Sequence, residues 1–499
     1  TTFVKWLINE ASFGLFTFKD VTRSFAWIIE QPYNLVLAII SKGILKGQGQ
    51  DAILILGPLS WISIIGIFFT LALYTKDKFL IILVVFAIIY LAVFDQWQSS
   101  MITLSSIIIA VPIGVLLGIL FGVLCYKSQL IEKIITPILD LMQTVPVFAY
   151  LVPILVMFGF GPVSALIATI IYAMPPMVRT TLLALNNIDP QLKESGIMSG
   201  CTDRQLMWKV LIPVSKPTLL IGVNQVIMLS LNMVIIASMI GAGGLGYDVL
   251  ASLRRLDIGG GIESGIAIVV LAIALDRLSQ SFANLPTLTK KTRVSFYTKY
   301  KKIFFLLLYI ISIYLLGSFF SFFKFFPENL MINTSAFWEE LVKYININYF
   351  DNLENFKITL LTYFMLPIKK FFLGIPWPWF IIIITLIGWY FGKLKLAALC
   401  FALSVFIVTT GLWQKAMITL YLCGSSVIIA SLIGIPLGIW AGLNKKADKI
   451  LTAFIDTLQT LPSFVYLIPV VMLFRVGDFT AMIAVILYAL APAVRYTAH

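Results

Sequence analysis

Long apolar runs separated by short polar connections make up most of this chain. Each run has about 18 or more residues almost without charge, enough for a helix to cross a hydrocarbon core of roughly 30 Å. The runs are continuously apolar and do not alternate, which favours helices over a transmembrane β-barrel. The runs begin near Ala52, Phe79, Met101, Ile138, Val163, Pro217, Ile262, Ile303, Trp377, Leu394, Met417, Ile450 and Phe479. The pattern predicts an all-α, polytopic transmembrane helical bundle.

One long segment of the chain occurs twice. Residues 140–153 (DLMQTVPVFAYLVP) return as residues 456–469 (DTLQTLPSFVYLIP), and the offset of 316 between positions 140 and 456 also relates Arg179 to Arg495. A repeat of this length in an apolar chain indicates a duplicated membrane unit. We therefore expect two tandem copies of one helical domain.

The charged residues give an orientation for the predicted helices. The chain is 60% hydrophobic and only 12% charged, with a net charge of +13. Many of its basic residues lie in short connections between the apolar runs, among them 76–78, 127–133, 193–216 and 290–302, and positive connections are typical of the cytoplasmic side. Membrane topology therefore explains the positive charge better than a nucleic acid partner does. The sequence predicts a multi-pass protein of the bacterial inner membrane, with the lipid bilayer as its surroundings.

The boundaries of the two copies define four regions. Residues 1–96 hold an outer amphipathic segment and the first two membrane helices, and residues 97–282 form the core domain. Residues 283–336 are a basic linker with an extra crossing helix at 303–323, which lets the second copy start on the same side as the first. Residues 337–499 are the second copy, which stops before the counterpart of the first copy's last hundred or so residues. We interpret the sequence as a fragment.

Several kinds of chemistry are disfavoured by the residues present. The four cysteines are single and widely spaced, which fits packing rather than a zinc or redox site, and His499 is the only histidine. No metal site, His-dependent catalysis or other cofactor site is therefore expected. The chain contains no GxxxxGK[ST] motif, so any use of ATP requires a separate subunit. The run Gly241, Gly243 and Gly246 resembles a dinucleotide fingerprint, but it follows a membrane segment and is better explained as a tight external turn.

Acidic residues within the apolar runs bear on how transport could be driven. Asp140 and Asp276 lie near the ends of their predicted segments, and we expect neither to be a buried carboxylate at the membrane centre. Buried carboxylates of that kind mark proton and ion relays in transporters. The pattern therefore disfavours an ion-coupled secondary transporter.

The most polar connection of the first copy, DPQLKESGIMSGCTDRQLMWKVLIP, begins at Asp189 and ends at Pro213. Asp189 can cap a helix that Gly200 ends, and Thr202 or Asp203 can cap a second helix that stops before Pro213. Two short helices thus meet at a glycine. Soluble helix-turn-helix motifs share this pattern, but membrane segments on both sides argue against binding to DNA.

The same connection resembles the EAA loop of ABC-importer permeases. The matching residues, at the spacing of that loop, are Glu194, Ser195, Gly196, Gly200, Val210, Ile212 and Pro213. Ser195 and Gly196 replace two alanines, and Gly196 weakens the first helix by about 1 kcal/mol relative to alanine. The resemblance implies that the loop docks into a groove of a cytoplasmic ATPase and carries motion to the membrane helices. The residues that it assigns to coupling are Glu194, Gly196, Gly200, Arg204 and Pro213.

The resemblance extends to a particular kind of permease. Residues 139–153, 225–246 and 254–280 closely resemble permease subunits that import glycine betaine, proline betaine and other quaternary amines. This implies two copies of the type I ABC-importer permease fold, a cytoplasmic ABC ATPase dimer, a periplasmic substrate-binding protein and a small zwitterionic or cationic osmolyte as substrate. Permeases for choline and carnitine share these segments, so the amine itself stays open. The alternatives are an ion-coupled secondary transporter or channel with parallel repeats and, less favoured, a membrane scaffold or sensor.

A pathway for the substrate is predicted where polar residues and proline interrupt the apolar runs. A proline within a membrane helix frees a backbone carbonyl, which is tolerated where a water-filled cavity or other protein groups replace the lost partner. Aromatic faces nearby can attract a methylated ammonium group, although they can equally be packing residues. The candidate residues are Gln143, Thr144, Pro146, Phe148 and Tyr150, their counterparts Gln459, Thr460, Pro462, Phe464 and Tyr466, and Asn224 with Asn232, for which helix packing is the favoured role.

Overall fold

The computed structural model describes residues 12–13, 16–46, 53–255, 257–283, 296–460 and 463–498. The chain divides into two compact units, Thr1–Ala336 and Phe337–His499. The predicted outer amphipathic segment at residues 3–16 lies mostly outside the described residues, and so does His499.

The first unit is helical apart from two short antiparallel hairpins near its start. These pair β1 (Ser12–Phe13) with β2 (Phe16–Thr17), and β3 (Ile44–Lys46) with β4 (Ile53–Leu56). The helices before the polar connection are α1 (Phe18–Leu37), α2 (Trp61–Thr75), α3 (Lys78–Val93), α4 (Trp97–Lys127), α5 (Gln129–Thr144), α6 (Val147–Phe158) and α7 (Pro162–Asn186). Those that follow are α8 (Pro190–Met198), α9 (Asp203–Gln205), α10 (Ile212–Val214), α11 (Lys216–Ala237), α12 (Leu245–Arg255), α13 (Ile258–Ala283), α14 (Phe296–Phe319) and α15 (Ser321–Lys324).

The second unit repeats several of these elements at the offset of 316 residues. Its helices are α16 (Ser335–Leu360), α17 (Leu366–Gly374), α18 (Trp377–Thr409), α19 (Trp413–Leu443), α20 (Lys445–Thr460), α21 (Ser463–Phe474) and α22 (Asp478–Ala498). Helices α4 and α19 both have 31 residues, and α5 and α20 both have 16. The duplication seen in the sequence is therefore also visible in the lengths of these two helix pairs. Helix α18 is interrupted by non-helical backbone at Gly392 and Lys393, so the runs expected from Trp377 and Leu394 form its two parts.

Among the described residues, seven helices are long and apolar enough to cross a membrane, namely α4, α7, α11, α13, α18, α19 and α22. An eighth span results if α5 and α6, which meet at an angle of 104°, are counted together. Helices α2 and α3 and the central part of α14 are shorter and also apolar. The predicted all-α, polytopic architecture is confirmed, and the chain is a multi-pass membrane protein.

Polar residues between the apolar runs start the membrane helices. The Ser60 hydroxyl accepts a hydrogen bond from the Ser63 N–H at the start of α2, and the Asp77 carboxylate accepts from Phe79 and Leu80 at the start of α3. These side chains satisfy N–H groups that lack partners in the first turn of a helix. The apolar run that begins near Ala52 does not start as a helix, because β4 comes first and Pro58 and Ser60 delay the helix to Trp61.

Glycines let α4 and α7 cross at very short distance. A Cβ atom at Gly118 would lie 2.5 Å from Met177 Cβ, and one at Gly122 would lie 2.5 Å from Thr181 Cβ. Small residues at such crossings allow helix backbones to approach closely in a membrane. The second unit has the same arrangement, since Cβ atoms at Gly434 and Gly438 would lie 2.6 and 2.5 Å from side chains of α22.

The extra crossing, predicted at residues 303–323, is part of the packed first unit. It is observed as α14, which lies against α2. The Tyr309 hydroxyl donates to the Ile62 carbonyl at 3.1 Å, and the Trp61 indole donates to the Phe322 carbonyl at 3.0 Å. Specific contacts therefore hold this segment on the first unit. Its apolar part, Phe304–Gly317, is shorter than the seven long helices, so the crossing itself stays a prediction.

A glycine-rich turn joins α11 to α12. Gly241, Gly243 and Gly244 all have positive φ angles, and the Leu245 N–H donates to the Thr103 hydroxyl of α4 at 3.0 Å. The turn brings Asp248 of α12 next to Ser99 at the start of α4. Burial raises the pKa of the Asp248 carboxyl above its ordinary value, while a hydrogen bond with Ser99 acts in the opposite direction.

We expect Asp248 to make the protein more stable as the pH falls. A carboxyl whose pKa is higher in the folded than in the unfolded state binds its proton more tightly when folded. The charged Asp248 carboxylate therefore lowers the free energy of unfolding at pH values above the folded-state pKa. This loss of stability disappears as the pH falls through the folded-state pKa toward the unfolded-state pKa. The Asp248→Asn variant should be more stable than wild type at neutral pH, and the difference should shrink on acidification. Thermal unfolding in detergent at a series of pH values measures this, and a difference independent of pH contradicts it.

Candidate functional site

The connection between α7 and α11 forms two short helices that meet at Gly200. The Asp189 carboxylate accepts a hydrogen bond from the Gln191 N–H at 2.9 Å and caps α8, whose first residue is Pro190. Gly200 follows the end of α8 with φ +76°, a conformation that glycine adopts without steric cost. Thr202 caps α9 in a reciprocal pair with Gln205, with hydrogen bonds of 3.0 and 3.3 Å. The predicted helix–glycine–helix element is present.

The second short helix does not stop at Pro213 as predicted. Helix α9 continues through wider π-type turns at Leu206–Leu211 into α10, which contains Pro213, and only Ser215 separates α10 from α11. Proline lacks an N–H and normally breaks the hydrogen-bond ladder of a helix. A π-type segment changes the register of that ladder, so the proline is accommodated. The two-helix element is thus almost continuous with a membrane helix.

Buried contacts fix this element to the ends of α4 and α7. Leu206, Met207 and Leu211 are buried with Val123 of α4 and Leu185 of α7. The Ser215 hydroxyl also bonds to the Leu211 carbonyl at 2.9 Å. Such packing makes the element rigid, so a displacement at its surface moves α11 rather than being absorbed by the loop.

Gly196 lies where the two short helices cross. It is buried, and a Cβ atom there would lie 2.6 Å from Leu206 Cδ1. Glycine at this position costs about 1 kcal/mol in helix propensity, as predicted from the sequence. It also permits a close contact between the two short helices, which an alanine would push apart. Gly196 is thus part of the packing between the two short helices. The other four residues assigned to coupling, Glu194, Gly200, Arg204 and Pro213, are all exposed.

The exposed surface of the connection also carries apolar side chains that the sequence analysis did not select. Met198 is 89% exposed, Ile197 55% and Trp208 49%. Outside a membrane, exposed apolar groups that cluster beside charges mark interaction surfaces. The sequence does contain a signal for these three residues, because they are large apolar residues within the most polar connection of the first copy. We call Glu194, Ile197, Met198, Arg204 and Trp208 the docking surface.

The predicted pathway residues of the first copy lie around the break between α5 and α6. Gln143, Thr144, Pro146 and Phe148 are exposed on this unit, and Thr144 turns its hydroxyl back to the Asp140 carbonyl at 2.9 Å. The run expected from Ile138 onward is therefore two helices, because Pro146 cannot continue the hydrogen-bond ladder.

The other predicted pathway residues are placed differently. Tyr150 is partly buried and packs on a core cluster that includes Met233 of α11. Asn224 and Asn232 are partly buried on α11, and the Asn224 amide lies 3.9 Å from the Met228 sulfur. The side chains of Gln459, Thr460, Pro462, Phe464 and Tyr466 lie outside the described residues. The residues near the break are thus neighbours in space, while nothing described joins the two asparagines to them.

The expectation that the acidic residues lie near segment ends is wrong for Asp276. Asp276 is 2% exposed within α13 and accepts a hydrogen bond from the Gln280 amide at 2.8 Å. Glu263, on the same helix, is 6% exposed and accepts the Thr334 hydroxyl at 2.7 Å. The error arose because α13 extends to Ala283, which leaves Asp276 seven residues inside the helix. Both carboxylates therefore have hydrogen-bond donors within the first unit.

Asp140 belongs to an ion pair between two helices. Its carboxylate binds the guanidinium of Arg179, which extends from α7. The side chains are 57% and 46% exposed on this unit. Among the described residues no group of three or more His, Cys, Asp or Glu side chains has the geometry of a metal site.

The fold and the connection define an inner-membrane component of a transport system. Residues 114–286 and 434–499 match the family described as binding-protein-dependent transport system inner membrane component. The chain belongs to this family of permeases, whose fold is the type I ABC-importer permease fold.

Similar proteins agree with this assignment. The trimethylamine N-oxide transport system permease protein TmoV of Pelagibacter ubique is 40% identical over 82% of this chain and 58% of its own length. The protein of the same name in Ruegeria pomeroyi is 32% identical over 89% of this chain and 68% of its own length. The glycine betaine transport system permease protein OpuAB of Bacillus subtilis is 38% identical over 52% of this chain and 89% of its own length. This chain thus spans roughly two thirds or less of the length of its two TmoV relatives.

Proposed function

We propose that this chain is the membrane-spanning part of an ATP-driven importer for a small methylated amine, such as glycine betaine or trimethylamine N-oxide. The family and the names of the relatives support the substrate class. A single observation carries the mechanism. The two-helix element at 189–215 is rigidly packed on its membrane side and presents charged and apolar groups on its free side. A surface of this kind fits a protein partner rather than lipid or water.

The proposed partner at the docking surface is a cytoplasmic ATPase. Helix α8 and the segment from Asp203 to Val214 are held together through Gly196 and Leu206, and this pair is anchored on α4 and α7. When the ATPase closes on ATP, movement of the docking surface reaches α11 directly, since only Ser215 intervenes. The chain itself carries out no hydrolysis in this scheme. A periplasmic binding protein delivers the amine on the opposite side.

The polar break between α5 and α6 is the proposed substrate passage. Gln143 and Thr144 offer hydrogen-bonding groups, and Phe148 is a half-exposed aromatic side chain beside them. The nitrogen of glycine betaine or trimethylamine N-oxide carries no hydrogen and cannot donate a hydrogen bond, so aromatic faces suit the cationic end of these molecules.

Uptake into liposomes tests the proposal. The full-length permease, reconstituted with its ATPase subunit and binding protein, should accumulate radiolabelled glycine betaine or trimethylamine N-oxide only when ATP is supplied on the ATPase side. The ratio of the two uptake rates identifies the preferred amine. A non-hydrolysable ATP analogue serves as the control. Uptake that follows a sodium or proton gradient without ATP would instead establish the ion-coupled alternative.

A further inference from the structure

Helix α5 has a polar face that the two copies share. The exposed residues on this face are Lys133, Thr136, Asp140, Gln143 and Thr144, of which the first four follow one another at intervals of three or four positions and Thr144 is four positions after Asp140. They recur without change as Lys449, Thr452, Asp456, Gln459 and Thr460. Most apolar positions between them differ, since Ile138 corresponds to Phe454 and Leu141 to Thr457. We call these five residues of α5 the polar face. All five residues are identical in the two copies, whereas most apolar positions between them differ, which points to a role beyond packing.

The ion pair of Asp140 and Arg179 lies deep within this face. Arg179 precedes the end of α7 by seven residues, which is about 10 Å along the helix at 1.5 Å per residue. Both side chains are about half exposed, so the pair is not enclosed by its own unit. Charged groups at such a depth are costly against acyl chains and normally face protein or a water-filled cavity. We therefore expect the exposed side of the pair to face other protein groups or a water-filled cavity rather than acyl chains.

The pair is also placed at the break between α5 and α6. Asp140 lies one turn before Val145, and its carbonyl accepts the Thr144 hydroxyl. Arg179 lies one turn after Pro175 and Pro176 of α7. Both charges thus stand beside prolines, where helices bend with less loss of hydrogen bonding. In the second copy Asp456 and Arg495 keep the same spacing.

We propose that Asp140 and Arg179 form a transfer site for a zwitterionic or strongly dipolar amine. This inference rests on the proposed function. Arg179 binds the anionic oxygen of the ligand, a carboxylate or an N-oxide, and Asp140 faces its cationic nitrogen. A ligand that carries both charges can enter without leaving either side chain unpaired. Arg179 exchanges the Asp140 carboxylate for the anionic end of the ligand, and Asp140 exchanges the Arg179 guanidinium for the cationic end. A guanidinium suits carboxylate oxygens through parallel hydrogen bonds. The closed pair is the ligand-free state.

The test separates this role from that of a simple bridge between α5 and α7. In the double variant Asp140→Leu with Arg179→Met, apolar packing replaces the pair, a change that proteins often tolerate without loss of stability. The transfer site predicts that uptake of glycine betaine and trimethylamine N-oxide per ATP hydrolysed falls by about tenfold or more, the effect of losing a charge-assisted hydrogen bond. Thermal unfolding and ATP hydrolysis stimulated by the binding protein stay near wild type. Wild-type uptake per ATP in the double variant overturns the proposal.

Two further variants keep the test decisive if the double variant does not fold. Arg179→Lys keeps a cation and should lose uptake by only about threefold, whereas Arg179→Gln should lose about tenfold or more. Equal uptake by these two variants also overturns the proposal. A matched control is Lys369→Met with Asp478→Leu, which removes a 2.6 Å ion pair between α17 and α22. This control should leave uptake per ATP unchanged. If wild type itself shows no ATP-dependent uptake, the proposed function fails, and not only this site.

Discussion

Replacement of Met198 by aspartate should abolish ATP-driven uptake while the permease stays folded. Met198 is 89% exposed at the end of α8, so its side chain contributes little to the packing of the chain itself. In the proposed complex the ATPase would enclose the same side chain, and a carboxylate there would lose its water without gaining a partner. Hot-spot residues, which cluster near the centre of an interface, cost about 2 kcal/mol or more when truncated, and we expect Met198 to be one of them. That corresponds to at least about a 30-fold loss of affinity between permease and ATPase.

The measurement is the binding of the ATPase subunit to the permease in nanodiscs, together with uptake into liposomes. Val476→Asp is the matched control, because Val476 is also 89% exposed but lies in the connection between α21 and α22. Surface substitutions without special contacts usually change stability by less than about 0.5 kcal/mol. The control should therefore bind the ATPase as wild type does. Equal loss in both variants would show a general effect of added charge, and unchanged binding by Met198→Asp would remove this surface from the coupling interface.

The sequence was sufficient for those features that depend on local signals. Asp189, Thr202 and Gly200 determine where the short helices start and end through their own side chains or backbone freedom, and the structure places each as predicted. Helix caps act within three or four residues, so no distant contact can easily override them. The apolar runs likewise predicted most of the long helices, because a helix needs length and an apolar composition to span, but the run near Ala52 starts as a strand and the run from Ile138 is broken.

Features that depend on tertiary contacts could not be predicted in this way. Pro213 was expected to end a helix, but π-type turns upstream accommodate it. Asp276 was placed near a segment end, although its burial depends on helices packed around α13. Met198 was passed over because exposure is a property of the folded surface. For the same reason the sequence showed Asp140 and Arg179 as separate residues, and only the crossing of α5 and α7 joins them.

The second large effect is expected at the crossing of α4 and α7. Gly122→Leu should unfold the first unit in part or prevent its insertion, because even the first carbon of the new side chain would lie 2.5 Å from Thr181 Cβ and 3.0 Å from the Val178 carbonyl. A backbone carbonyl within a helix cannot move aside as a flexible side chain can. Overpacking in a core typically costs about 1–3 kcal/mol, and a leucine adds three further carbons beyond this contact. We expect a loss of about 3 kcal/mol or more.

The repeat supplies both a replicate and a control for this prediction. Gly438 occupies the equivalent crossing in the second unit, where a Cβ atom would lie 2.5 Å from Thr497 Cβ and 2.8 Å from the Val494 carbonyl, so Gly438→Leu should be similarly harmful. Gly424, on the same helix α19, has open space around its Cβ position, and the first copy carries Ile108 at the corresponding site. Gly424→Ile should therefore be neutral or slightly stabilising, since glycine in a helix costs about 1 kcal/mol. Thermal unfolding and yield in detergent measure all three variants. If Gly424→Ile is as damaging as Gly122→Leu, glycine is needed along these helices for a reason other than the close crossing with the neighbouring helix.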